Sequence, residues 1–243
     1  MKHAIMLPER LQLGDVLSLR VRKVSSIKAD RLTVCCPKNQ RFLYPTASDF
    51  EDVGNYVYGE ELEKISARLK EKYPEAEQIR TSWPLPEKEL IVKPEQCSAF
   101  DSDIVICPRF KDKLSPHRNW EGWQIMNESL CKEKLRVVVA GTEASQSPWE
   151  GAHKVSDVEA IAAHMLKTRL VVATDSGLAH LAILLRVPLA LIWGTPVGVI
   201  PGQTYEKSYH KRMEAQKRGI VHHIEGAWQD PAYAIREVLK LVA

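Results

Sequence analysis

The sequence predicts an α/β protein with parallel sheets, arranged in two units. Runs of apolar and β-branched residues alternate with stretches of helical period along most of the chain, the pattern of repeated βαβ units. One proline-rich, charged stretch, TSWPLPEKELIVKPEQ at 81–96, interrupts that rhythm with the composition of a linker. The expected domains are 1–95 and 96–243, the second more regular than the first.

The elements follow in order. HAIML is a strand, PERLQLGD a loop, VLSLRVRKVSSI a helix and RLTVCCP a second strand. Residues 38–60 are less regular. EELEKISARLKEKY is an amphipathic helix whose charges form a solvated face. Beyond the linker, DIVICP is a strand, NWEGWQIMNESLCKE a helix and LRVVVAG a strand. SDVEAIAAHMLKT is a helix capped by Ser156 or Asp157, and RLVVATD is a strand. GLAHLAILLR is a helix and PLALIWG a strand. GIVHHI is a last strand. DPAYAIREVLKLV closes the chain as a helix, with Asp230 as N-cap and Pro231 at its first position.

Composition narrows the class. The chain has 243 residues, 44% hydrophobic and 27% charged, which suits a soluble globular protein. A net charge of +3 argues against a nucleic-acid partner, whose footprint is far more basic. Five cysteines, an odd number without a C-x-x-C pair or a zinc spacing, read as buried free thiols and predict no metal site. AIML runs straight into Pro8, so no signal peptide is expected. The apolar region 178–193 is broken by His180, Arg186 and Pro188, so no transmembrane segment is expected either. The expected location is the cytoplasm, compatible with peripheral membrane contact.

Candidate site residues cluster where strands lead into helices, the ligand-binding edge of an open parallel sheet. Asp175-Ser176-Gly177 ends one strand and starts a helix whose free N–H groups suit an anion, with His180 on its first turn. Two readings fit: a ligand loop, or a helix start capped by Asp or Ser with a satisfied buried histidine. Gly14-Asp15 occupies the first strand-to-helix loop, where Asp15 is either a cap or a general base. CPRFKDKLSPHRNWEGW places Arg109, Lys111, Lys113 and Arg118 in one loop, cations suited to a pyrophosphate or to solvent. Trp120 and Trp123 read as packing. Glu143, after another strand, either accepts from ribose hydroxyls or lies on a surface loop.

These loops together resemble glycosyltransferase family 9, the lipopolysaccharide heptosyltransferase family. SDVEAIAAHMLKTRLVVATDSGLAHLAILLRVPLALIWGTP is similar to its helix, strand, D-[ST]-G-x-x-H-[LI]-A helix and following strand. GDVL at 14–17 is similar to its N-terminal G-D-x-[LI] loop. CPRFKDKLSPHRNW is similar to its basic loop before a tryptophan, and VVVAGTEA to its strand ending near a glutamate. The resemblance spans 103–196 in order and spacing and weakens in the N-terminal part beyond about residue 36.

It implies a GT-B fold: two Rossmann-like domains, the N-terminal acceptor-side one reduced, the C-terminal one binding the nucleotide-sugar. It implies inverting, metal-independent transfer from a nucleotide-diphospho-sugar to an acceptor hydroxyl on a glycan, lipid-linked glycan or other molecule. The sugar nucleotide is a co-substrate, and no cofactor is implied. Carried onto this sequence, Asp15 is the base and Asp175 holds sugar hydroxyls. Ser176 and Gly177 bind the diphosphate through their backbone, with His180 supporting that loop. Arg118, with Arg109 nearby, meets the leaving-group charge, and Glu143 meets the ribose. Gly14 shapes the base loop. A nucleotide-sugar-binding protein without activity is the alternative, and an epimerase or hydrolase of nucleotide-sugars using Glu9 and His117 a weaker third.

Overall fold

A computed structural model describes residues 1–8, 28–44, 47–53, 60–81, 101–109, 120–141, 152–174, 176–192 and 220–243. The chain divides into two compact units, Met1–Val92 and Lys93–Ala243.

The first unit contains a parallel sheet of β1 (His3–Pro8), β2 (Arg31–Cys36), β3 (Asp49–Asp52) and β4 (Glu77–Thr81), in the order β3-β2-β1-β4. Ala4, Ile5, Met6 and Leu7 are all buried, so the first strand is covered on both faces, as parallel strands generally are. Helix α1 (Glu60–Lys72) buries Leu62, Ile65 and Leu69 at helical spacing against Ile5, Leu7 and Cys35. Its acidic first turn and basic last turn complement the helix dipole. Ser66 fastens this helix to β4: its hydroxyl donates to Gln78 Oε1 at 2.6 Å, and Gln78 Nε2 donates to the Ser66 carbonyl at 2.8 Å. The expected helix over 16–27 lies outside the described residues. Within the irregular section, a 3-10 turn over Lys38–Leu43 leads to β3.

The second unit is a six-stranded parallel sheet of β5 (Ile104–Cys107), β6 (Val137–Ala140), β7 (His153–Val155), β8 (Leu170–Ala173), β9 (Leu189–Ile192) and β10 (Val221–Ile224). Its order is β10-β9-β8-β5-β6-β7. The chain lays down three strands in one direction, returns to the middle, and lays down three in the other. This is the doubly wound Rossmann order. Strands β5, β6, β8 and β9 are wholly buried and apolar. Each fully buried Val, Leu or Ile contributes roughly 1.5–3 kcal/mol, so these four strands supply much of the driving force for this unit.

Among the described residues, four helices accompany the sheet: α2 (Trp123–Lys132), α3 (Val158–Lys167), α4 (Gly177–Leu184) and α5 (Pro231–Val242). Helix α3 opens on Asp157, whose side chain accepts from Ala160 N at 2.9 Å. Asp230 likewise accepts from Tyr233 N at 3.0 Å to start α5, with proline in its first turn. Helices α2 and α5 pack together over one sheet face. Trp120 and Trp123 meet there edge to face, ring centroids 5.1 Å apart, and Trp120 Nε1 donates to the Ala227 carbonyl at 2.9 Å. Both tryptophans are therefore core residues of the second unit. Its last helix belongs to the same core, through Ala234, Ile235, Val238 and Val242.

Among the described residues no helix is long and apolar enough to cross a membrane. Cys35, Cys36 and Cys107 are buried free thiols, and Cys131 is a half-buried one. Burial pushes the Cys35 and Cys36 thiols up to about 12, so neither is a thiolate near neutral pH.

Candidate functional site

In a doubly wound sheet the crevice opens at the carboxyl ends of the two strands between which the winding reverses. Here those strands are β5 and β8, paired with Cys107 opposite Ala173. The loops that leave them are the ones singled out by sequence. Pro108-Arg109 follows β5, and Thr174-Asp175-Ser176 follows β8 and opens α4.

The second of these loops is built by the sequence on either side of it. Val171, Val172 and Ala173 are too apolar to lie anywhere but in the sheet. Helix α4 is apolar on every side, with Ala179, Leu181, Ala182 and Ile183 buried, so it is held close against its neighbours. The turn between them is short, and Ser176 ends it as the N-cap: its side chain accepts from Ala179 N at 3.4 Å. Of the two caps the sequence offers here, the structure uses Ser176. Gly177 is the first residue of the helix, and its N–H belongs to the unsatisfied first turn that suits an anion.

His180, in that first turn, is 4% exposed, and its backbone N–H donates to the Ser176 carbonyl at 3.4 Å. It therefore lies within the packing of the turn. Arg109 is half-buried, two residues beyond β5. Burial raises the Cys107 thiol well above its ordinary value, so Cys107 is not a thiolate near neutral pH. The edge between β5 and β8 thus offers a guanidinium on one side and a helix N-terminus on the other. That is an arrangement for holding an anion.

The register brings Arg109, Ser176 and Gly177 to one edge of one sheet, with His180 packed behind. Asp175, Arg118 and Glu143 lie outside the described residues, as do Gly14 and Asp15. The last two fall in the segment that leaves β1, the strand where the first sheet's own winding reverses between β1 and β4. Among the described residues no group of three or more His, Cys, Asp or Glu side chains converges to hold a metal. One residue of the β8 turn was not singled out from the sequence. Thr174, 1% exposed, carries a hydroxyl that has no hydrogen-bond partner among the described residues. Its signal was a polar residue directly following an apolar strand.

No protein-family model matches the sequence, and no curated protein sequence does. Solved structures do match. The chain superposes on E. coli ADP-heptose LPS heptosyltransferase II with a TM-score of 0.62 at 14% identity, covering 100% of this chain and 98% of that one. It has the fold of the heptosyltransferases. E. coli heptosyltransferase WaaC, solved with ADP-2-deoxy-2-fluoro heptose, gives 0.57 at 12% identity over 99% of this chain and 100% of that one. A glycosyl transferase family 9 structure from Veillonella parvula gives 0.58 at 11% over 99% and 97%. The expectation of a GT-B architecture with two parallel sheets is met, and the likeness runs the length of the chain.

Proposed function

We propose that the chain is a glycosyltransferase of the family 9 type, transferring a sugar with inversion from a nucleotide-diphospho-sugar to an acceptor hydroxyl without a metal. The observation that carries this reading is the strand order of the second unit, which sets Arg109 and the Ser176–Gly177 helix start on the two loops flanking its reversal point. The full-length likeness to heptosyltransferase structures, one of them holding an ADP-heptose analogue, supports it.

In this reading the diphosphate lies across the start of α4, its charge met by backbone N–H groups and the helix dipole. Arg109 and Arg118 balance the charge that grows as the sugar bond to the β-phosphate breaks. Fixed donors and cations aimed at a leaving group lower the barrier as a metal would, without reorganising as the charge develops. Asp175 accepts from sugar hydroxyls and Glu143 from the ribose, while His180 keeps the loop in place. Asp15 takes the proton of the acceptor hydroxyl as its oxygen attacks the anomeric carbon from the face opposite the diphosphate. That geometry inverts the anomeric centre.

The test is a thermal-shift panel of nucleoside diphosphates and nucleotide-sugars, with and without EDTA. A ligand that binds only the folded state raises the melting temperature by mass action. We expect one nucleotide-sugar to raise it selectively, unchanged by EDTA, and to identify the donor. A shift that EDTA abolishes would overturn metal independence. No shift from any donor would overturn the reading as a whole.

A further inference from the structure

Several described side chains bury a polar atom without a hydrogen-bond partner, among them Tyr44, Ser102 and Trp123, and of these Thr174 lies at the carboxyl edge of the second sheet. It directly follows β8 at the carboxyl edge of the sheet, one residue from Asp175 and two from the Ser176 cap. It is 1% exposed, and among the described residues nothing meets its hydroxyl. A buried hydroxyl without a partner is destabilising, and valine has the same shape without that penalty. The preceding positions of the strand are apolar, LVVA, so a valine here would extend a run the sheet already favours. An unsatisfied buried polar group at a ligand-binding edge calls for a reason outside the protein's own hydrogen bonding.

We propose that the Thr174 hydroxyl is a binding residue for the diphosphate of the sugar nucleotide, donating to a phosphate oxygen beside the start of α4. This rests on the proposed function. The ligand class follows from the place: the α4 N-terminus favours an acceptor-rich anion, and a hydroxyl is the donor such an anion takes. The Ser176 hydroxyl oxygen already serves Ala179 N. Accepting that bond leaves the Ser176 O–H proton free to donate, and the Thr174 hydroxyl, without a partner among the described residues, sets a second donor beside it.

The experiment compares wild type, Thr174→Val and Thr174→Ser in the full chain. Melting temperature is measured without ligand, and dissociation constants are measured by calorimetry for inorganic pyrophosphate, ADP, UDP and GDP. For Thr174→Val we expect two effects of opposite sign. The melting temperature without ligand rises by about 2–4 °C, as a relieved polar group in a chain of this size would give. Affinity for the bound diphosphate falls about tenfold, the weight of one charge-assisted hydrogen bond. Thr174→Ser keeps wild-type affinity. A lower melting temperature for Thr174→Val would show that the hydroxyl already has a structural partner, and would overturn the proposal. So would unchanged affinity in a variant whose wild type binds, which leaves the nucleotide-sugar reading standing. If wild type binds none of the four probes, both fall together.

Discussion

At Gly122 the packing leaves no room for a side chain. A Cβ there would lie 2.2 Å from the Trp120 ring, well inside contact distance, and that ring is fixed by its bond to the Ala227 carbonyl. Gly122→Ala is therefore expected to destabilise the chain by about 1–3 kcal/mol, read as a lower urea midpoint, as overpacked cores typically do. Lys134 and Arg186 present the opposite case. Both adopt left-handed backbone, with φ of 61° and 60°. After α2, Lys134 N donates to the Cys131 carbonyl and Leu135 N to the Leu130 carbonyl, the paired bonds of a Schellman stop. After α4, Arg186 and Val187 make the same pair to Ile183 and Ala182. Glycine suits that conformation better than any side chain. Lys134→Gly should stabilise the fold by about 0.5–1 kcal/mol, once its looser unfolded chain is counted, and thermal melts measure this directly.

At the scale of elements, β5 and β6 are tied at their starts by Asp103. Its carboxylate accepts from Arg136 N at 2.9 Å and from the same residue's guanidinium at 3.1 and 3.2 Å. Those bonds, the guanidinium's first, hold its pKa below the usual carboxylate range. A carboxyl more acidic in the folded chain stabilises at every pH above its unfolded value, near 4, and that contribution disappears as pH falls through the folded value. Asp103→Asn should therefore melt below wild type at pH 7, and the gap should narrow toward pH 2.5. A constant gap would mean the effect is not one of charge.

The elements also separate what the sequence reveals from what it hides. Strands β5, β6, β8 and β9 sit inside the sheet, covered on both faces, and their continuous apolar runs announce them. Strands β3, β4 and β7, DFED, EQIRT and HKV, have no such run, and nothing in their sequence announces a strand. Each lies at the edge of its sheet, where charged residues are common because they discourage pairing with other chains. Strand β10 is an edge too, but Val221 and Ile224 kept it legible. The β8 turn was legible through its helix start. Thr174 was not, because its meaning lies in a missing partner, which only coordinates reveal.

At the scale of the whole molecule, the assignment of roles predicts that binding and chemistry separate by residue. Asp15→Ala should lower transfer by about 10²–10⁴-fold, the usual weight of a general base, while the dissociation constant of the donor is unchanged. Asp175→Ala should weaken donor binding itself. Calorimetry with the donor alone, set beside turnover with acceptor present, separates the two, and equal loss of binding in both variants would refute the division. The strand order of the second unit also has a kinetic side. Strand β5 is made first, yet its partner β8 arrives only after β6, α3 and the segments between them have left the ribosome. Such non-local pairings form slowly, because the intervening loop must be closed before any contact repays it. Until then one edge of an apolar strand has no neighbour, an invitation to wrong partners that chaperones exist to cover. The edge between β5 and β8 that would grip a sugar nucleotide therefore comes into being only after β6, β7 and α3 have been made. On the proposed function, a nascent chain has no donor site until the centre of its sheet has closed.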